Sequence, residues 1–316
     1  MKIIFMGTPD FAVSTLEALL LAPEHEVVAV VTQPDRPRGR GQKLLMTPVK
    51  EFAVNHALRV LQPPKVKNEE FIKELTALAP DLIVVVAFGQ ILPSSILKLP
   101  RFGCINVHAS LLPKYRGAAP IHYALLAGEK ESGVTTMLMD EGMDTGDMLL
   151  KKAVPLSLET TMGELHDELK IIGASLLLET IARLEAGKIT PEKQNHEEAT
   201  YASLLDKAIE KIDWEQSATT IHNKIRGLNP WPGAYTTQPN GHKLKVWRSR
   251  VLNEEKTNQQ PGTITALTAD GFVVACGTGL LVLLEVQPES KKMMSAAVYC
   301  NGYQIKTGML LGEAQK

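Results

Sequence analysis

Cysteine is scarce in this chain of 316 residues: Cys104, Cys276 and Cys300 are the whole supply, odd in number and unclustered. That usage suits neither a disulfide framework nor a zinc site of the usual spacing, and it points to a reducing cytoplasm. Long apolar runs are missing too. The longest, Leu82 to Phe88, falls far short of the roughly 20 residues that span a bilayer, and Met1 to Met6 is too short for a signal-peptide core, so nothing predicts a membrane. No G-x-G-x-x-G follows the first strand-like run, and no Walker-type phosphate loop, G-x-S-x-G, H-E-x-x-H or C-x-x-C occurs. These absences argue against the commonest nicotinamide and ATP enzymes.

What is present is an ordinary globular balance, 44% hydrophobic and 22% charged, with length for two cores. Short Val- and Ile-rich runs at Lys2 to Phe5, Glu26 to Thr32 and Asp81 to Ala87 each lead through a turn signal into helix-like sequence, the pattern of buried parallel strands. Thr8 is the expected N-cap, with Pro9 at the first helical position, of a helix over Phe11 to Leu21. Thr161 with Glu164 forms a capping-box signature for a long helix that Gly187 closes. The alternation predicts a doubly wound, Rossmann-like parallel α/β sheet over residues 1–188. A polar stretch containing Pro191 reads as a linker, 189–204. Beyond it, one helix (Ala218 to Gly227) and strand-like runs at Leu244 to Val251, Thr263 to Leu267, Phe272 to Cys276 and Leu280 to Val286 predict a small OB-like β-barrel over 205–316.

Charge is unevenly spread. Residues 206–316 hold 13 Lys and Arg against 10 Asp and Glu, leaving 21 against 25 for residues 1–205. Between Ile221 and Arg250 stand Lys224, Arg226, Lys243, Lys245, Arg248 and Arg250 with no acid among them. This is a candidate anion-facing surface; a solvated strand face with its counter-charges elsewhere is the alternative.

The stretch Cys104 to Pro113 is the most informative. As a strand, Cys104 to His108 puts Asn106 and His108 on one face, with Ile105 and Val107 on the other. Satisfied core polar groups would look the same. A second buried strand, Gly133 to Asp140, runs into the glycine-punctuated acidic loop Glu141 to Asp147, which predicts that Asp144 hangs over the same edge. The loop lacks the spacing of an EF-hand, and no metal is expected. An amide, an imidazole and a carboxylate together suit acyl transfer to an amine: two donors for a developing oxyanion, and a carboxylate to orient the imidazole and help remove the proton. With no Ser or Cys beside a base, direct attack by the amine is the simpler route.

Through Asn106, His108, Ser110-Leu111-Leu112-Pro113 and the Gly133 to Asp144 stretch with Gly146, the chain resembles the folate-dependent formyltransferase family. Further agreement at Gly7 to Phe11, Thr32 to Pro37, Arg116 to Pro120, Ile212-Asp213-Trp214 and Asn229 to Pro232 is with the members that act on methionyl-tRNA, and covers almost the whole chain. The resemblance implies that Asn106, His108 and Asp144 are the catalytic trio and that 10-formyltetrahydrofolate is the donor. It places Ser110, Leu111, Leu112 and Pro113 along the folate, with Phe88 and Gly89, where a tyrosine is common at the first. It implies methionyl-initiator tRNA as the partner, met by the barrel (Lys243, Lys245, Arg248), by Lys207, and by the loop Pro34 to Thr47 with Arg36, Arg38, Arg40 and Lys43. That loop reads as a segment disordered until phosphate orders it. Phe11 is the expected methionine-pocket residue, and no obligate protein partner is expected. Two other functions compete less well: formylation of a nucleotide sugar or ribonucleotide amine, which the trio alone would also serve but which a basic barrel and an arginine loop argue against, and a plain nucleic-acid-binding module, which has no need of the trio.

Overall fold

The computed structural model describes residues 1–38, 43–238 and 240–312. The chain packs as two compact units: Met1–Pro120, Glu131–Pro155 and His166–Ser203 form one, and Ile121–Lys130, Leu156–Leu165 and Leu204–Lys316 the other.

The first unit is built on strands β1 (Lys2–Gly7), β2 (Glu26–Val31), β5 (Val60–Leu61), β6 (Leu82–Val86), β7 (Cys104–His108), β9 (Glu131–Leu138) and β10 (Met148–Pro155), with a small hairpin of β3 (Arg36–Arg38) and β4 (Lys43–Leu45) and a short β8 (Arg116–Gly117). The large sheet runs β10-β9-β7-β6-β1-β2-β5. Its five strands from β7 to β5 are parallel, while β9 is antiparallel to β7 and β10 to β9. Strand β6, Leu-Ile-Val-Val-Val, is buried throughout, as a parallel strand covered on both faces must be. Helices α1 (Asp10–Leu21), α2 (Pro48–Asn55), α3 (Glu69–Ala77), α4 (Ser94–Leu97) and most of α6 (Met162–Glu185) complete the pattern, while α5 (Pro120–Leu126), past its first residue, and the first turn of α6 fall in the second unit. The strand order reverses at β1, which has β2 on one side and β6 on the other, the place where sheets of this kind bind ligands.

One of the two expected caps is altered. Thr8 does not cap α1: the N-cap residue is Pro9, with no side-chain bond, and the Thr8 hydroxyl donates instead to the Phe88 carbonyl at 2.9 Å. A tertiary acceptor has outcompeted the local one. The capping box at α6 is present, with Glu164 N donating to Thr161 Oγ1 at 3.3 Å and Thr161 N to Glu164 Oε2 at 2.8 Å. The backbone N–H of Thr161 and its hydroxyl, both donating to Glu164 Oε2, hold that carboxyl below the usual range. The flanks of the loop read as disordered form the β3–β4 hairpin, Arg36 opposite Leu45 and Arg38 opposite Lys43. The acid expected among its cations, Asp35, is taken by Lys50 at 2.5 Å and Gln62 at 2.8 Å.

Residues 189–204 are not bare linker. Glu192 and Met148 exchange two backbone bonds of 2.8 Å, and β11 (Tyr201–Ala202) pairs with β8 in parallel.

In the second unit, α7 (Ala218–Gly227), β12 (Ala234–Thr237), β13 (Lys243–Asn253), β14 (Ile264–Leu267), β15 (Phe272–Ala275), β16 (Leu280–Pro288), β17 (Met294–Ser295) and α8 (Ala296–Tyr303) follow in order. The predicted strand-rich half is a six-stranded antiparallel sheet running β12-β13-β16-β15-β14, with β17 on β16. Its core gathers Trp214, Ile221, Ile225, Leu244, Val246, Phe272, Leu283 and Tyr299. The two polar handles are satisfied: Trp214 Nε1 donates to Thr236 Oγ1 at 2.9 Å and the Tyr299 hydroxyl to Gln238 Oε1 at 2.7 Å.

Candidate active site

Asn106 and His108 are nearly buried on one face of β7, at 8% and 6% exposure. Asp144 comes over that face. Asn106 Nδ2 donates to Asp144 Oδ1 at 3.3 Å, and His108 Nδ1 lies 3.8 Å from Asp144 Oδ2. The three side chains expected to act together therefore do converge, although the route differs from the sequence argument. Because β9 is antiparallel to β7, with His108 opposite Thr135 and Ile105 opposite Leu138, its end does not share the carboxyl edge of β7. Residues 139–147 have to fold back to deliver Asp144. Leu138 N, donating to Asp147 O at 2.9 Å, closes that return. Asp144 itself adopts φ 55°, a left-handed conformation that a residue with a side chain keeps only when its surroundings hold it. At Gly146 an added Cβ would fall on the Leu138 carbonyl.

The carboxylate is further held by Gly117 N, which donates to Asp144 Oδ2 at 2.8 Å. His108 Nε2 lies 3.0 Å from the Tyr115 carbonyl. A carbonyl only accepts, so Nε2 carries a proton and Nδ1, the nitrogen facing Asp144, is the one left for proton exchange. Asn106 has a second amide N–H beyond the one shared with Asp144, a donor suited to a developing oxyanion. The Asp140 carboxylate accepts from Gly142 N at 3.0 Å and Thr145 Oγ1 at 2.7 Å, so it shapes the acidic loop from within.

Of the residues expected along a folate, Ser110 and Leu112 are buried at 1%. The Ser110 hydroxyl donates to Lys114 O at 2.6 Å, and Thr135 Oγ1 bridges Ser110 O (2.7 Å) and Leu112 N (3.1 Å). They form the loop, while Leu111 and Pro113, half-buried, have surface to offer. Phe88 is buried, and its carbonyl accepts from Thr8 Oγ1 and, at 3.2 Å, from Gln33 Nε2. Gly89 follows at φ 85°. Phe11 is also buried, with its ring 5.4 Å from His166, edge to face.

The cations expected to meet a polyanion belong to both units. Arg36 and Lys207 are exposed; Arg40 lies outside the described residues, as do the side chains of Arg38 and Lys43. On β13, Lys243 Nζ sits 3.6 Å over the Tyr235 ring, and Lys245 Nζ donates to Pro232 O at 2.8 Å. The counter-charges absent from the local sequence come from neighbouring segments: Glu285 lies 3.7 Å from Arg248, and Asp270 3.2 Å from Arg250. The register of β13 against β16 shifts around Arg248, so Lys243 and Arg248, of opposite parity, are both exposed. Two further histidines, buried His222 and exposed His196, have polar partners of their own. His222 meets Ser249 Oγ at 3.0 Å and Leu158 O at 2.8 Å, and burial lowers its pKa; His196 Nδ1 meets the Arg116 guanidinium at 3.3 Å. A cavity of about 470 Å³ lies in the second unit, lined by Trp214, Lys211 and Lys224 among others, with none of Asn106, His108 and Asp144 in its lining.

The most consequential residue that sequence reasoning passed over is Gln194, whose amide bonds to both Arg116 and the backbone around Asp144. It stands between charged and polar residues in a stretch with no periodicity, so no local signal marks it as buried.

Residues 1–181 match the Formyl transferase family, and residues 204–304 match Formyl transferase, C-terminal domain. The chain is 51% identical over 313 residues to the methionyl-tRNA formyltransferase of Acetivibrio thermocellus, covering 99% of this chain and 100% of that one. It is 53% identical over 310 residues to the protein of the same name from Trichlorobacter lovleyi, covering 98% and 96%. Among solved structures, an N-formyltransferase from Helicobacter canadensis bound to folinic acid and dTDP-3-aminofucose superposes with TM-score 0.64 at 22% identity, over 90% of this chain and 99% of that one. HypX from Aquifex aeolicus, bound to tetrahydrofolic acid, gives TM-score 0.63 at 18% identity, over 97% of this chain but only 48% of HypX. This chain belongs to the formyl transferase family.

Proposed function

We propose that the protein transfers the formyl group of 10-formyltetrahydrofolate to the free amine of methionyl-initiator tRNA, in the cytoplasm, for translation initiation. The observation that carries the chemistry is the convergence of Asn106, His108 and Asp144 within hydrogen-bonding or near-bonding range. The amine attacks the formyl carbon directly. The free amide N–H of Asn106 stabilises the oxyanion of the tetrahedral intermediate, and the His108 Nδ1–Asp144 pair takes the proton leaving nitrogen. Collapse of the intermediate returns a proton to the folate nitrogen as the carbon–nitrogen bond breaks. The folate lies against Phe88, Gly89 and Ser110 to Pro113, and Phe11 contributes to the methionine pocket.

The tRNA role divides along the chain, with residues 1–188 doing chemistry and 205–316 binding RNA through Lys243, Lys245 and Arg248. Lys207 and the loop bearing Arg36, Arg38, Arg40 and Lys43 approach the acceptor end. Full-length identity to proteins named for methionyl-tRNA supports this acceptor over an amino sugar. The test offers 10-formyltetrahydrofolate with methionyl-initiator tRNA, methionyl-elongator tRNA, free methionine or a nucleotide-linked amino sugar. Product on the first alone is expected; product on the amino sugar and not on the tRNA overturns the assignment.

A further inference from the structure

We propose that Gln194 is a positioning residue for Asp144, an inference that rests on the role given to Asp144 above. Gln194 is 5% exposed and spends its whole amide on three residues. Nε2 donates to the carbonyls of Asp144 at 2.8 Å and Gly146 at 2.7 Å. Oε1 accepts from Arg116 Nε at 3.0 Å and Nη2 at 2.7 Å. The orientation of the amide is dictated by chemistry: turned over, its NH2 would face a guanidinium and its oxygen two carbonyls.

The arrangement ties both sides of the carboxylate together. Through its donors Gln194 grips the backbone on which Asp144 takes its left-handed φ of 55°. Through Arg116, itself 1% exposed, it grips the residue next to Gly117, whose N–H holds Asp144 Oδ2. The surrounding segment has independent anchors, the Glu192–Met148 pair before it and Thr200 O, accepting from Arg116 N at 2.9 Å, after it. Removing the amide therefore frees the carboxylate without releasing the segment.

Two variants separate this from a structural role. Gln194→Glu keeps the acceptors for Arg116 and loses the donors; Gln194→Met keeps the length and loses both. Steady-state kinetics of each are compared with Asp144→Asn and with each double variant. A displacement of the carboxylate on the order of 1 Å corresponds to a kcat loss of about 100-fold. We expect a loss of that order, with KM for folate and tRNA little changed and with no further loss when either Gln194 change is added to Asp144→Asn. If Asp144→Asn is impaired while both Gln194 variants turn over normally, the positioning role falls and Asp144 keeps its own. Losses that multiply with that of Asp144→Asn, or that appear as raised KM at unchanged kcat, overturn it equally. Normal turnover in Asp144→Asn overturns the underlying assignment. Should Gln194→Met fail to fold, Gln194→Glu, with its acceptors intact, carries the test.

Discussion

Around β7 the polar side chains are buried and engaged with one another, whereas along β13 the cations stand at the surface and lean on one neighbour each. Asn106, His108, Gln194 and Arg116 are each under 9% exposed; Lys243, Arg248 and Arg250 are exposed and meet a ring face or a single carboxylate. The first arrangement specifies position, because a buried donor left unmade is costly and so tolerates one geometry. The second specifies little beyond sign, since exposed pairs contribute weakly and are easily exchanged for another anion. On the proposed function, a region that places one atom and a region that attracts many phosphates are built differently for that reason.

The sharpest way to break the contrast is to remove a single group from each. Asn106→Ala or Asp144→Ala should lower kcat by roughly 100- to 1000-fold while tRNA affinity and the melting transition persist; rapid-quench formyl transfer reads the first and filter binding the second. Unchanged turnover in either would remove that residue from the reaction. Gly146→Ala comes next, because its Cβ has no space beside the Leu138 carbonyl. A cost of about 1–3 kcal/mol in stability is expected, read by denaturant melts, with activity falling alongside. On β13, Lys243→Glu with Lys245→Glu should raise KM for tRNA about tenfold at low salt and flatten the salt dependence of binding, leaving kcat at saturation alone. Equal KM at low salt would argue that this strand never meets RNA.

The smallest effect concerns pH. Burial lowers the His222 pKa below its ordinary 6.5. The unfolded chain therefore takes up a proton near that pH while the folded one resists, so the second unit is at full stability above it and loses stability as pH falls toward the folded value. Thermal melts of the wild type and His222→Gln between pH 7.5 and 5.5 should show a smaller loss in the variant; parallel curves would assign the acid sensitivity elsewhere.

Much of this was legible in the residues. Alternation at 104–108 put Asn106 and His108 on one face, and Ala218 to Gly227 is a helix over the span its pattern predicts. The site was less legible where partners come from far along the chain. Thr8 reads as a cap but bonds 80 residues away to Phe88. Asp144 was found by assuming a shared carboxyl edge, which the antiparallel β9 does not provide. Glu285 and Asp270 complete the charges of β13 from other segments of the sheet, and Gln194 reaches its acceptors 48 and 50 residues back. Periodicity reports which face a residue occupies; it carries nothing about what arrives opposite.

One consequence follows from the return between Leu138 and Met148. That stretch is pinned at its neck by the Leu138–Asp147 bond and at its tip by the Gln194 amide. It behaves as a part of fixed length, where one residue added or lost would carry the carboxylate out of reach of both strand partners. Diversification toward new amine acceptors on this scaffold would then have to draw on other loops, leaving this one as the least tolerant of insertion.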